Sequence, residues 1–307
     1  MSTIAPHPPP PPSARHGLDR RNLTLRLVTA AVFGVCFLTL LWLGEHPWAQ
    51  LVFSLLLAAA LFMGVREFTL MGRKLGHRPS LAAGALAGWL ILLHFVLLGL
   101  YPTDPLPLWL ALAAAGAVIH FTALLFEPDL DSALTSQAIT WLAALYLGLG
   151  FGFQAKLFLF AETTLPNTGG RLIFALYLIV WIGDSAAYFV GSLLGRHKLA
   201  PRVSPKKTWE GALGNYAGNL AAAFAIKAGA CPQWTAVDAV AIALLLGTVG
   251  QLGDLVESTW KRSAGVKDSS MGGVAIPGHG GMLDRVDSLA FAAPALYAYV
   301  HFVHGLN

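Results

Sequence analysis

Long apolar runs dominate the chain and limit what it can fold into. Among 307 residues, 56% are hydrophobic, only 12% are charged and the mean hydropathy is +0.62, so a soluble globule of this size would lack polar surface. A helix needs about 20 apolar residues to cross a hydrocarbon core of about 30 Å. Nine runs approach or reach that length, at 25–44, 48–66, 81–100, 106–126, 139–160, 172–194, 212–230, 236–256 and 286–305. The sequence therefore predicts an all-α polytopic integral membrane protein with about nine transmembrane helices.

The basic residues are distributed unevenly between these runs. In a nine-helix arrangement, all but three of the 20 Lys and Arg residues fall on the side of the N-terminus, the exceptions being Lys156, Arg171 and Lys227. Cytoplasmic loops of membrane proteins carry such an excess of Lys and Arg. We therefore expect a bacterial inner-membrane protein with a cytoplasmic N-terminus and its C-terminus on the opposite side. The positive face would attract anionic headgroups and nucleotides.

Composition divides the chain into three regions. Residues 1–22 are rich in proline and poor in apolar residues, which predicts a disordered cytoplasmic tail. Residues 23–170 contain the first five runs, are nearly free of charge within them, and are expected to form a transmembrane scaffold. Residues 171–307 collect acidic and basic groups at and inside the membrane, which predicts a catalytic transmembrane region with a polar cavity that faces the cytoplasm.

Acidic residues in this last region are spaced so that they can meet. Asp184 lies inside an apolar run, where a carboxylate costs about 2.5–3.5 kcal/mol, and Asp254 and Glu257 share one helix face. Asp284 and Asp287 follow at i and i+3 near a helix start. One such Asp would be an ordinary helix-dipole partner or cap. Two of them, together with Asp254, favour a metal site.

Two basic segments accompany these carboxylates. The loop after Asp184 presents hydroxyl and ammonium donors typical of an anion cradle, or of a loop that only sets topology: Ser204, Lys206, Lys207 and Thr208. The stretch 257–288 is rich in glycine and polar groups that suit phosphate binding: Lys261, Arg262, Lys267, Asp268, His279, Gly280, Gly281 and Arg285. Cations, carboxylates and glycine backbone without side chains occur together in these segments. This combination favours phosphoryl or nucleotidyl transfer with a divalent metal.

Three motifs carry a resemblance to a known family. SPKKTWEG at 204–211, QLGDLVES at 251–258 and PGHGGMLDRVDS at 277–288 closely resemble the phosphatidate cytidylyltransferases, also called CDP-diacylglycerol synthases. The resemblance implies that CTP and phosphatidic acid react among membrane lipids to give CDP-diacylglycerol and pyrophosphate, with Mg²⁺ required. It also implies a second, monovalent cation such as K⁺ and a homodimer.

The resemblance assigns roles to individual residues. The catalytic residues it implies are Asp254, Asp284, Asp287, Lys261, Arg262 and Lys267. Substrate binding is expected at Ser204, Lys206, Lys207, Thr208, Asp268, His279, Gly280, Gly281 and Arg285. The implied metal ligands are Asp254, Asp284 and Asp287, with Asp184 and Glu257 as further candidates. The loop before Pro277 is longer than in the family pattern, which leaves a paralogue with altered lipid preference as an open alternative.

Other functions compete with this interpretation. A secondary transporter or channel for a phosphorylated anion would use Asp184 and Asp254 as ion-coupling residues. The clustering of charged motifs on one face fits an enzyme of one membrane leaflet better. Enzymes of other lipid-headgroup classes would carry different acidic motifs, and no nucleic-acid partner is expected.

Overall fold

The computed structural model describes residues 34–100, 114, 116–118, 120–121, 130–160, 167–270 and 280–305. The chain separates into two compact units, Met1–Leu38 and Thr39–Asn307. In the first unit, residues 34–38 are described and are helical. The predicted tail 1–22, most of the predicted run 106–126 and the first part of the run 25–44 lie outside the described residues. All that follows concerns the second unit.

The described part of this unit is mostly helical. Seven helices have 20 or more residues: α1 Pro47–Lys74, α2 Leu81–Leu100, α3 Leu130–Phe158, α4 Thr168–Leu194, α5 Trp209–Ala228, α6 Ala236–Ser263 and α7 Leu283–His304. All of them except α5 are long and apolar enough to cross a membrane. The chain is therefore an integral membrane protein by the length and composition of its helices. Helix α5 is not apolar enough to be counted as a membrane-spanning helix, because it contains polar residues. Among them are Asn215 and Asn219, which are buried.

Several helices extend beyond the apolar runs that predict them. Helix α1 continues to Lys74 and α6 to Ser263, in both cases with basic residues in the last turn. Positive side chains at a helix C-terminus interact favourably with its partial negative charge. The boundaries differ because hydropathy marks the lipid-facing part of a helix, whereas the helix itself goes on into the polar interface.

A β-hairpin departs from the all-α prediction. Strands β1 (Lys198–Ala200) and β2 (Ser204–Thr208) pair antiparallel within the predicted basic loop. Thr208 ends the hairpin and caps α5, since its Oγ1 accepts a hydrogen bond of 3.1 Å from Gly211 N. Hydrogen bonds from its own backbone N–H and with the His197 side chain lower the pKa of Glu210 to about 2. This carboxylate also accepts from backbone N–H groups before β1, so it fixes the hairpin to the start of α5.

The basic loops meet at one end of the helix bundle, which we call the basic end. There Lys74 Nζ donates to Gly265 O at 2.9 Å, and Arg262 Nε donates to Val203 O in the hairpin at 3.2 Å. At the opposite end, which we call the far end, Arg171 Nη1 donates to Ala230 O at 2.6 Å. Loops that the charge distribution predicts on one side thus lie together.

Aromatic packing joins α1 to the helices that carry the acidic motifs. The Phe68 ring lies 5.1 Å from that of Trp260 in α6 and 6.0 Å from that of Tyr146 in α3, centroid to centroid. Tyr146 in turn lies 5.8 Å from Phe291 in α7. The scaffold therefore packs directly against α6 and α7 near their basic ends.

Candidate active site

A cavity of about 170 Å³ opens between α4 and α7. Asp184 comes to it from the middle of α4, while Asp284 and Asp287 come from the first turns of α7. Arg285 also lines it, and its remaining walls are Val180, Trp181, Ser288 and Leu289. The i, i+3 spacing of the two α7 carboxylates does place both on one face, as predicted. Three predicted acidic residues and one predicted cation therefore share a single cavity.

Asp254 connects this region to the basic hairpin. Its Oδ2 forms an ion pair of 2.6 Å with Lys207 Nζ, and both side chains are partly exposed. Its Oδ1 accepts a hydrogen bond of 3.3 Å from Ser258 Oγ, one turn later in α6. The ion pair thus joins the hairpin to α6, the helix that also carries Glu257 and Lys261.

Lys261 is a buried cation shared by two carboxylates. Its side chain is 10% exposed, and Nζ lies 2.5 Å from Glu257 Oε2 in the same helix. The same Nζ contacts Asp284 Oδ1 in α7. Glu257 itself is fully buried. Because an unpaired buried charge is costly, Lys261 stabilises both acids and joins α6 to α7.

Amide side chains surround Asp184. Asn215 Nδ2 donates to Asp184 Oδ1 at 3.3 Å, and Gln251 Nε2 donates to Asn215 Oδ1 at 3.2 Å. A Cβ at Gly183 would lie 1.9 Å from the side-chain amide of Asn219, so the glycine makes room for this network. The polar residues that weaken the predicted runs at α5 and α6 therefore support the carboxylate of Asp184, which is exposed on α4.

Glu67 in α1 is a site residue that the sequence reasoning missed. Its carboxylate is 3% exposed and accepts hydrogen bonds from Met282 N at 2.7 Å and Leu283 N at 2.9 Å. Ser269 Oγ lies 2.8 Å from Glu67 Oε2 and 3.0 Å from Asp284 Oδ2. One feature of the sequence could have indicated Glu67: it is an acidic residue immediately after the apolar run 48–66. The helix continues beyond this run, so Glu67 still belongs to α1.

The remaining hairpin residues differ in exposure. Lys206 is exposed and Ser204 is half-buried, so both can be reached from the basic end. Thr208 is buried and its hydroxyl oxygen caps α5. Its predicted contact with a phosphate would have to coexist with that capping bond.

The loop after α6 contains further predicted residues. Arg262 Nη1 donates to Val266 O at 2.9 Å, which orders the turn, and Lys267 is exposed. Asp268 Oδ1 accepts from Ser270 N at 2.8 Å, and hydrogen bonds from Ser270 hold the pKa of Asp268 below its ordinary value.

His279 lies outside the described residues. The described chain resumes with two of the predicted residues, Gly280 and Gly281. Gly280 has a φ of 78°, in the left-handed region that glycine tolerates. A Cβ at Gly281 would lie 1.7 Å from Ser269 Oγ. Both glycines therefore shape the backbone that leads into α7.

The acidic side chains of the site are the candidate ligands for Mg²⁺. Among the described residues, no group of three or more acidic, His or Cys side chains is arranged to hold a metal ion. Lys207 and Lys261 neutralise Asp254, Glu257 and Asp284. Asp184 and Asp287 form no ion pair within the described part of the chain, and carboxylate oxygens suit a hard cation. The predicted ligand set therefore stays a prediction.

Comparisons with known proteins agree with the motifs. A profile described as "Cytidylyltransferase family" matches residues 24–303. The chain is 36% identical over 280 residues to a phosphatidate cytidylyltransferase of Brucella suis biovar 1 (strain 1330), covering 91% of this chain and 93% of the relative. A protein of the same name from Bacillus subtilis (strain 168) is 35% identical over 280 residues, covering 90% and 97%. One from Staphylococcus aureus (strain COL) is 41% identical over 159 residues, covering 52% and 57%.

Proposed function

Because the chain belongs to the cytidylyltransferase family, we propose that it transfers the cytidylyl group of CTP to phosphatidic acid, giving CDP-diacylglycerol and pyrophosphate. The observation that carries the proposal is the cavity between α4 and α7, where Asp184, Asp284 and Asp287 lie with Arg285. An acidic cavity bordered by cations suits a reaction between two phosphates.

The reaction needs positioning more than it needs a protein nucleophile. A phosphate oxygen of phosphatidic acid attacks the α-phosphorus of CTP, a new P–O bond forms, and the bond to the β-phosphate oxygen breaks to release pyrophosphate. The attacking phosphate needs little help from a base, since its second pKa is about 6. Arg285 and Lys207 would neutralise phosphate oxygens, and Lys261 would hold Asp284 in place.

A divalent metal is part of the proposal. Mg²⁺ held by carboxylates would supply positive charge that neutralises the phosphates of CTP. Asp184 and Asp287 would hold it, and Asp254 could join them once Lys207 turns to a substrate phosphate. Two further expectations from the family resemblance, a second monovalent cation and a homodimer, stay predictions.

The orientation in the membrane is also proposed. Lys74, Arg262 and the hairpin belong to the basic end, whereas Arg171 lies at the far end. The excess of Lys and Arg supports a basic end in the cytoplasm, where CTP is found, and a bacterial inner membrane as the location. The transporter alternative is not favoured, because the relatives that align over nearly the whole chain bear a transferase name.

A turnover assay with three nucleotides tests the proposal. Detergent-purified protein with Mg²⁺ and phosphatidic acid is expected to convert labelled CTP to CDP-diacylglycerol, and EDTA is expected to stop the reaction. Parallel reactions with dCTP and ATP measure nucleotide choice. Uptake of a phosphorylated solute into proteoliposomes, without turnover for several acyl compositions, would instead support a transporter.

A further inference from the structure

We infer that Glu67 is a positioning residue for the proposed reaction, because it fixes the start of α7 and thereby the carboxylates of Asp284 and Asp287. The inference rests on the proposed function, since it gives those two carboxylates a part in the chemistry. Glu67 itself need not touch a substrate.

The first argument is the set of backbone donors that Glu67 satisfies. The first N–H groups of a helix have no partner within it, and α7 receives no side-chain cap from Met282, its N-cap residue. Glu67 replaces that cap from another helix, with Oε1 on Met282 N and Oε2 on Leu283 N. A carboxylate at a helix N-terminus is also favoured by the helix dipole.

The second argument is the connection to the cavity. Asp284 directly follows Leu283, whose N–H Glu67 holds, so any shift of this turn moves Asp284 with it. Ser269 is fully buried, its Oγ lies within hydrogen-bond distance of both the Glu67 and the Asp284 carboxylate, and its N–H donates to Asp284 Oδ2 at 3.0 Å. Two routes therefore connect Glu67 with one of the cavity carboxylates.

The third argument is the rigidity of the support. Glu67 lies beside Phe68, which packs on Trp260, and about two helix turns before Lys74, which donates to Gly265 O. Helix α1 thus contacts α6, the loop after it and the start of α7. Catalytic groups need such support, because a misplacement of about 1 Å can cost about a hundredfold in rate.

The experiment compares Glu67→Ala and Glu67→Gln with Thr69→Val. Thr69 is a matched control, since it is buried on the same helix and its hydroxyl donates only to Val65 O within α1 among the described contacts. Hydrogen exchange of the peptide covering residues 280–290 reports on the amides of Met282 and Leu283 directly. In Glu67→Ala we expect these amides to exchange about tenfold to a hundredfold faster, because two charge-assisted hydrogen bonds are lost.

The kinetic measurement separates positioning from folding. In Glu67→Ala we expect kcat to fall about tenfold or more and the KM for CTP to rise about fivefold or more. A smaller folded fraction would lower kcat and leave KM unchanged. Glu67→Gln should fall between wild type and Glu67→Ala, since its amide keeps one acceptor oxygen. Thr69→Val should match wild type in exchange and in both kinetic constants.

Two results would overturn the inference. One is unchanged hydrogen exchange at residues 282–283 in Glu67→Ala, which would show that the Glu67 carboxylate does not hold these two amides. The other is faster exchange with wild-type kcat and KM, which would make Glu67 a helix cap and nothing more. If the wild type were inactive, the proposed function itself would be refuted. If the wild type were active and Glu67→Ala behaved like the control, only the inference about Glu67 would be refuted.

Discussion

The two ends of the helix bundle use their polar residues differently. At the far end, polar side chains are satisfied by helix ends and by nearby groups: Thr235 and Asp238 form a capping box, Asp238 also accepts from Tyr299 in α7, and Arg171 donates to a backbone carbonyl after α5. At the basic end, carboxylates from different helices gather around one cavity, which Arg285 also lines, and within the described residues those of Asp184 and Asp287 form no direct ion pair. A satisfied polar group indicates a structural role, whereas several acids clustered around one cavity indicate a binding site.

The largest expected effect is at a cavity carboxylate. We expect Asp287→Asn to leave expression and thermal stability near wild type and to lower turnover of CTP and phosphatidic acid more than about a hundredfold. The substitution keeps the shape of the side chain and removes the charge that lines the cavity. Turnover by the purified variant at saturating CTP measures the effect.

The control for this prediction is Asp238→Asn at the far end. It removes a charge that caps α6 and accepts from Tyr299 Oη at 2.6 Å, so it should lower stability and leave kcat unchanged. Near-normal turnover in Asp287→Asn would remove this residue from the site and would weaken the contrast between the two ends.

The second prediction concerns the buried cation. Lys261→Met leaves Glu257 without its ion-pair partner in a fully buried position, so we expect the free energy of unfolding to fall by about 3–5 kcal/mol. Denaturant titration of the detergent-solubilised protein measures this. The double substitution Glu257→Gln/Lys261→Met removes the stranded charge and should recover a large part of the loss. Equal stability of the single and double variants would contradict the ion-pair argument.

Many of the helices could be predicted from the sequence, because the hydropathy of a segment is read directly from its own residues and needs no knowledge of tertiary contacts. The runs 81–100, 172–194 and 286–305 fall within or close to helices α2, α4 and α7. The hairpin was not predicted, because Pro201 and Pro205 indicate a loop without saying whether its two arms pair. Helix ends were also missed, since capping groups such as the Glu67 carboxylate come from distant parts of the chain.

The site was predictable to the extent that its residues are adjacent in sequence. The i, i+3 spacing put Asp284 and Asp287 on one face, and both line the cavity with Asp184. What the sequence could not supply is the pairing across helices. Lys261 was expected among phosphate-binding groups, yet it is buried between two carboxylates, and Ser269 was not considered because its partners lie on other elements.

A smaller effect is expected at the exposed pair of the basic end. Lys207→Gln should change stability by less than about 1 kcal/mol, because the partners of the Lys207–Asp254 pair are 25% and 34% exposed. Turnover should fall about tenfold, since the ammonium group would serve a substrate phosphate. Lys198→Gln on β1 is the matched control, an exposed hairpin cation with no described ion pair. Equal effects of the two substitutions on turnover would mean that Lys207 contributes only general positive charge and no specific contact with a substrate phosphate.

The smallest effect is expected at the far end. Thr235→Val removes the hydroxyl that accepts from Asp238 N at 3.1 Å, so the free energy of unfolding should fall by about 1 kcal/mol. Turnover per folded molecule should stay at the wild-type value, because this capping box lies at the end of α6 opposite to Asp254 and Lys261. Thermal unfolding and turnover of the same preparation give both quantities. A loss of turnover larger than the loss of folded protein would mean that the far end is coupled to the cavity, and the division of labour between the two ends would then be wrong.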